Sequence, residues 1–239
     1  MDSKKRPEYL LVMAGGSGTR MGSSIPKQFL ELGGKAILQL SIEKFLAAEP
    51  GIKVVTVLPD SYIEPWRTYC AEHNFLCHQR VARGGFTRFH SVKNGLAKIP
   101  DGAVVAVHDG VRPLLSVQMI RDMFSMAETV PGVVPVVPCV DTMKALRKDP
   151  GTGMLVPLDG MSIDRSVLYA AQTPQIFHSE VLREAYGQAY DTAFTDDASV
   201  VAAAKIPLSY IAGERFNIKI TTPDDLDLAG AIMSLSSLL

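Results

Sequence analysis

Residues 8–27 read EYLLVMAGGSGTRMGSSIPK: an apolar run over 8–14 enters a glycine cluster, and two cations, Arg20 and Lys27, follow. A strand that ends in a glycine-rich loop opens several α/β folds, and each of them grips phosphate in its own way. The dinucleotide fingerprint G-x-G-x-x-G needs a third glycine for close packing of helix on strand. Counting from Gly16 gives Gly16-Ser17-Gly18-Thr19-Arg20-Met21, so a methionine stands in that place. No G-K-[ST] follows, which removes the P-loop as well. What is left is Gly15-Gly16-x-Gly18-Thr19-Arg20-Met21, four residues, then Pro26-Lys27. Glycines accept positive φ and leave room for backbone N–H groups to face an anion. Arg20 offers a planar fork to phosphate oxygens and Lys27 a compact charge. Together they suit a triphosphate whose α-phosphorus accepts attack.

Outward from this loop, short apolar runs alternate with longer segments of helical spacing. Strands are expected at 8–14, 52–58, within FLCHQRVA, at 103–109 and in GVVPVVPCV. Helices are expected at 36–48, in SYIEPWRTYCAEHN, TRFHSVKNGLAKI and LSVQMIRDMFSMAE, then at 178–190, 196–204 and from Pro223 onward, with a further strand at 206–212. AVVAVHD is almost wholly apolar, as a strand covered on both faces must be. The alternation predicts a Rossmann-like, three-layer α/β/α domain with a mostly parallel sheet. One domain accounts for all 239 residues. Ligands in such sheets bind at the carboxyl ends of strands, where both the glycine loop and Asp109 fall. From Asp141 the rhythm breaks. Polar and apolar residues alternate around the turn cluster Asp149-Pro150-Gly151-Thr152-Gly153, which predicts a β-arm over about 139–172 that projects from the sheet. Its apolar residues need a partner surface, and a second copy of the chain supplies one.

The chain carries 24 basic and 25 acidic residues, a net charge of −1, which argues against a nucleic-acid partner. No apolar stretch is long enough to span a bilayer and no signal core follows the charged N-terminus, so a cytoplasmic address is expected. Cys70, Cys77 and Cys139 form no CxxC pair and are expected to be buried or half-buried thiols rather than metal ligands.

Over nearly its whole length the sequence resembles a known family. The first loop alone resembles the nucleotidyltransferases that join a sugar or polyol phosphate to a nucleoside triphosphate. RGGFTRFHSV, VHDGVRP, VDTMKAL, IDRS, AAQTPQIF, TDDASVV and NIKITTPDDL narrow the resemblance to the 2-C-methyl-D-erythritol 4-phosphate cytidylyltransferase family of the non-mevalonate isoprenoid pathway. The implied reaction joins CTP and 2-C-methyl-D-erythritol 4-phosphate into a CDP-polyol and releases pyrophosphate, with magnesium. A ribitol-5-phosphate cytidylyltransferase, or another polyol- or sugar-phosphate nucleotidyltransferase, is the alternative, although DTMK and IDRS lean away from ribitol phosphate. From other classes, a nicotinamide-binding oxidoreductase is disfavoured by Met21. A non-catalytic module would bind CTP without turnover.

By this resemblance Arg20 and Lys27 stabilise transition-state charge, and Ala14, Gly15 and Gly16 surround the nucleotide. Gly85 and Ser91 contact cytosine. Phe86 stands where some relatives carry an aspartate, so any base contact there runs through the backbone. Arg88 is either part of this segment or a surface cation at a helix start. Asp109 lies near the ribose and the metal-bound phosphates and is the candidate magnesium contact. Gly110 takes the place of a frequent alanine beside the nucleotide. Arg112, Thr142, Arg165 and Thr173 match contacts to the polyol phosphate, with Arg165 arriving from the second subunit. Lys219 matches a lysine that positions the acceptor, and Phe216 replaces a frequent acidic residue. His108 is expected to pack or hydrogen-bond rather than act as a base. Asp196 and Asp197 could bind metal, but their place after Thr195 suits a helix N-cap.

Overall fold

The computed structural model describes residues 5–16, 25–158, 160 and 162–236. In chain order, β1 (Glu8–Met13) leads through the glycine loop to a small hairpin of β2 (Glu31–Leu32) and β3 (Lys35–Ala36), then α1 (Ile37–Ala48). β4 (Lys53–Leu58), α2 (Ile63–Glu72), β5 (Gln79–Arg83), α3 (Arg88–Leu96), β6 (Val104–Asp109), α4 (Val117–Met126) and β7 (Gly132–Pro138) complete the regular alternation. The arm holds β8 (Leu146–Lys148) and β9 (Leu155–Pro157). After it come β10 (Tyr169–Ala171), β11 (Gln175–His178), α5 (Ser179–Ala185), α6 (Asp197–Ala203), β12 (Ser209–Ala212) and α7 (Pro223–Ser236).

The main sheet runs β10-β7-β11-β6-β1-β4-β5, with β12 also on β7. The β1, β4, β5 and β6 pairings are parallel, as is β7 with β12. β11 lies antiparallel between β6 and β7, and β10 is antiparallel to β7. Period-two alternation along β1 divides the core. Leu10 and Val12 face one side with Ile42, Phe45, Ile120 and Phe124, whereas Tyr9, Leu11 and Met13 face the other with Phe89, Val92, Leu182 and Val200. Every residue of β6 is buried, because both of its faces are covered. A third cluster seats α7 against the β2–β3 hairpin through Leu32, Ile37, Ile220 and Ala229. Its turn uses Gly33 at φ +59°, a left-handed conformation that a side chain would strain.

Two expectations change. The sequence reading runs the arm on to 172, but the chain rejoins the sheet at Tyr169, and the segment after it is a strand that the reading did not foresee. The helix expected over 178–190 ends at Ala185, where Tyr186 and Gly187 close it. The β8–β9 hairpin does stand apart as its own two-stranded sheet. Met154, Leu155 and Val167 on the arm are exposed.

Candidate active site

Parallel register brings three strand ends together. Met13 at the end of β1 lies opposite both Val57 and Asp109. The Ala14 N–H donates to the Val57 carbonyl (2.9 Å), Gly110 N–H to Met13 (2.9 Å) and Gly84 N–H to Leu58 (2.7 Å). A cleft of about 310 Å³ opens over these ends. Ala14, Gly15, Gly16, Lys27, Gly85, Ser91, Asp109 and Lys219 all line it. Arg20 lies outside the described residues.

The described part of the glycine loop works by closeness rather than by left-handed backbone. Neither Gly15 nor Gly16 has positive φ. A Cβ at Gly15 would sit 3.8 Å from Ser91 Oγ, and one at Gly16 would occupy open cleft. Gln28 ties the loop down from beneath: its Nε2 donates to the carbonyls of Ala14 (2.7 Å) and Gly16 (3.2 Å). Gln28 is nearly fully buried, and no motif in the sequence marks it for this role.

On the opposite wall the turn before α3 is closed by side chains. Ser91 Oγ accepts from Gly85 N–H (2.9 Å) and donates to the Thr87 carbonyl (2.9 Å). Thr87 caps the helix. Gly85 is required by crowding, since a Cβ there would fall 2.4 Å from His90 Cβ. Arg88 is no surface cation. It makes a two-pronged pair with the fully buried Asp197 (2.7 and 2.6 Å), and Tyr186 Oη donates to the same carboxylate (2.6 Å). Asp196 caps α6 with a reciprocal Ser199 bond, so both aspartates are engaged in structure.

Asp109 is the electrostatic centre. Lys219 Nζ lies 2.9 Å from its carboxylate, Arg112 Nε 3.6 Å and Arg88 3.8 Å. Burial would raise its pKa, but Arg88, Lys219 and Arg112 together hold it well below the usual carboxylate range. Behind it the backbone N–H of Asp109 donates to Thr173 Oγ1 (3.0 Å). His108 completes the relay. Its Nε2 faces the Arg112 carbonyl (3.1 Å), which can only accept, so Nε2 carries the proton. Nδ1 is then the acceptor for the Thr173 hydroxyl (3.1 Å). This arrangement needs a neutral ring, and burial pushes the His108 pKa down to about 4. With no exposure and both ring nitrogens engaged, His108 packs and bonds as the sequence suggests.

Several expected contacts stand elsewhere. Arg112 does not line the cleft: it lies behind Asp109 and donates to the Asn217 carbonyl (2.7 Å). Thr173 stands behind Asp109 with its hydroxyl proton directed at His108. Gly110 does not line the cleft, and a Cβ there would meet Leu38 Cδ1 at 2.8 Å, so packing against the core favours glycine at this position. Thr142 and Arg165 belong to the exposed arm, where Arg165 donates to the Val140 carbonyl (2.9 Å), and neither lines the cleft of its own chain. Asn217 and Gln172, both buried, brace the Lys219 segment: Asn217 Nδ2 donates to the Thr173 carbonyl (2.9 Å) and Gln172 Nε2 to that of Glu214 (2.8 Å). No spacing rule marks these amides, because their partners lie more than forty residues away. The three cysteines are free, and burial pushes the Cys77 thiol up to about 11. Among the described residues no three His, Cys, Asp or Glu side chains cluster as a metal cage, and no helix is long and apolar enough to cross a membrane.

Residues 9–235 match the family model described as 2-C-methyl-D-erythritol 4-phosphate cytidylyltransferase. A protein of that name from Bacteroides thetaiotaomicron is 43% identical over 95% of this chain and 99% of its own. One from Porphyromonas gingivalis is 42% identical over 96% of this chain and 99% of its own. Among solved structures, the Thermus thermophilus 2-C-methyl-D-erythritol 4-phosphate cytidylyltransferase superposes with a TM-score of 0.70 at 30% identity, covering 95% of this chain and 99% of that one. The Anaerococcus prevotii 4-diphosphocytidyl-2C-methyl-D-erythritol synthase shares the fold, with a TM-score of 0.77 at 21% identity and coverage of 97% and 100%.

Proposed function

Because this chain belongs to the 2-C-methyl-D-erythritol 4-phosphate cytidylyltransferase family, we propose that its cleft transfers a cytidylyl group from CTP to 2-C-methyl-D-erythritol 4-phosphate. The acceptor's phosphate oxygen forms a bond to the α-phosphorus while the bond to the β-phosphate oxygen breaks. 4-Diphosphocytidyl-2-C-methyl-D-erythritol and pyrophosphate are the products. The observation that carries this reading is a cleft walled by a glycine loop and Lys27 that also holds one ionised carboxylate, Asp109, beside Lys219. The attacking oxygen is already anionic, so the site needs positioning and charge neutralisation rather than a base. A buried, neutral His108 is in keeping with that need.

Several of the lining residues support a part of the reaction. Lys27 supplies positive charge beside the loop, and Arg20 matches a second cation for the same phosphates. Lys219 is held by Asp109 at the place from which it would orient the acceptor. At the base wall, Ser91 has spent its proton on Thr87 and Gly85 its N–H on Ser91. What is left there is acceptors, which suit the exocyclic amine of cytosine better than the oxygen that uracil carries in its place. Magnesium, when bound with the triphosphate, neutralises phosphate charge. Asp109 fits as its single carboxylate contact, because this ion takes most of its oxygens from phosphate and water. The proposal extends to a homodimer through the arm, whose exposed apolar residues support it, and to Arg165 acting across the subunit boundary. It also extends to a cytoplasmic address, in keeping with three unpaired cysteines.

The test is an acceptor swap. Purified protein with CTP, magnesium and 2-C-methyl-D-erythritol 4-phosphate releases pyrophosphate, and replacing the acceptor by ribitol 5-phosphate abolishes the release. No pyrophosphate with the first acceptor, or equal turnover with the second, would overturn the assignment.

A further inference from the structure

One cleft residue has no part in the chemistry above. Phe86 lines the cleft and, at 102% relative exposure, is not covered by any neighbour. Among the described lining residues it is the one aromatic group. An isolated exposed apolar residue is ordinary on a protein surface. This one differs in how it is held. Gly84 N–H is tied to Leu58, Gly85 N–H to Ser91, and Thr87 caps α3, so the backbone on both sides of Phe86 is fixed. The two preceding residues are glycines and put no side chain beside the ring. A rigid turn therefore presents an uncovered aromatic ring in the cleft lining, one residue from Gly85 and in the same wall as Ser91.

We propose that Phe86 is the stacking wall for the pyrimidine of the bound nucleotide. It supplies affinity for the base, while the polar groups of Gly85 and Ser91 choose which base. The inference rests on the cleft being the nucleotide site. Every base has a π-face, so stacking strengthens binding without discriminating cytosine from uracil.

The test uses Phe86→Ala and Phe86→Trp in the full-length protein. Alanine is expected to weaken CTP binding, measured calorimetrically, by about tenfold, at the lower end of base–aromatic stacking. UTP binding weakens by the same factor, so the CTP:UTP ratio holds. In kinetics the KM for CTP rises while kcat stays within about twofold, the pattern of a lost binding contact. Phe86→Trp keeps the affinity, and its exposed indole is quenched on adding CTP but not inorganic triphosphate. Trp66, only 1% exposed, adds a constant background. Parent-like CTP affinity in Phe86→Ala, or equal quenching by inorganic triphosphate, overturns the proposal. So does a variant that changes oligomeric state while binding CTP normally. If such a result comes while the parent turns over, the stacking role alone falls. If the parent neither binds CTP nor releases pyrophosphate, the nucleotide site itself falls and this inference with it.

Discussion

Lys27, at the start of a short 3-10 turn, and Asp109, at the end of β6, both line the cleft. Their opposite charges serve different ends. A lysine near transferring phosphate matters most when charge develops, so Lys27→Ala is expected to cost turnover about 10²–10³-fold and CTP affinity far less. Single-turnover rates measured beside CTP titrations check this, and an intact rate would remove Lys27 from the chemistry. His108 makes the second residue-scale prediction. Its folded pKa, about 4, lies below the ordinary value of 6.5, so the unfolded chain binds more protons between those values. The stability that it contributes is complete above pH 6.5 and is lost as pH falls toward 4, about 3 kcal/mol across the window. Asp109, held low by its three cations, extends the loss below its ordinary pKa of about 4. Urea unfolding midpoints should therefore drop steadily from about pH 6.5 to about pH 4.5, and equal midpoints would contradict a neutral, buried His108.

At the scale of elements, β11 and the arm repay attention. Ala171 faces Val136 while Ile176 faces Val133, so the segment between them carries two residues more than the β7 stretch opposite. That slack frees the chain to leave β7, pass Thr173 behind Asp109 and pair with β6. The arm hairpin follows a different logic. It satisfies its own backbone through β8–β9 pairing, yet Leu155 is 68% and Val167 70% exposed. Covering each in a dimer is worth about 1.5–3 kcal/mol. The double variant Leu155→Asp/Val167→Asp should raise the dimer dissociation constant at least about tenfold and reduce turnover, while each cleft still binds CTP. Sedimentation against concentration reads the first effect and calorimetry the second. A parent that sediments as a monomer throughout would refute the arm's role.

Over the whole molecule the question is whether one chain holds a complete site. Arg165 does not line its own cleft, whereas Lys27 does. Two singly inactive variants, Lys27→Ala and Arg165→Ala, should then complement each other when mixed under exchange. Half of the dimers become hybrids with one intact site of two, which restores about a quarter of parent activity in a two-fold dimer. Hybrids shown to form without regaining activity would confine the site to one chain.

The alternation that predicts an α/β domain was plain in the sequence, because strand and helix periodicities are local and the core is large enough to enforce them. The glycine loop, the strand end at Asp109 and the helix cap at Asp196 were legible for the same reason: each is encoded within a few residues. The Arg88–Asp197 pair, the Gln28 tether, the neutral His108 relay and the removal of Arg112 and Thr173 to positions behind Asp109 were not. Apart from the local His108–Arg112 contact, those join residues 12 to 109 positions apart, and only the packed sheet brings them within hydrogen-bond reach. The sequence by itself determined the class of fold and the kinds of side chain at the strand ends. Tertiary structure decided which of them face the cleft and which stand behind it, because burial and partner geometry are properties of the assembled layers.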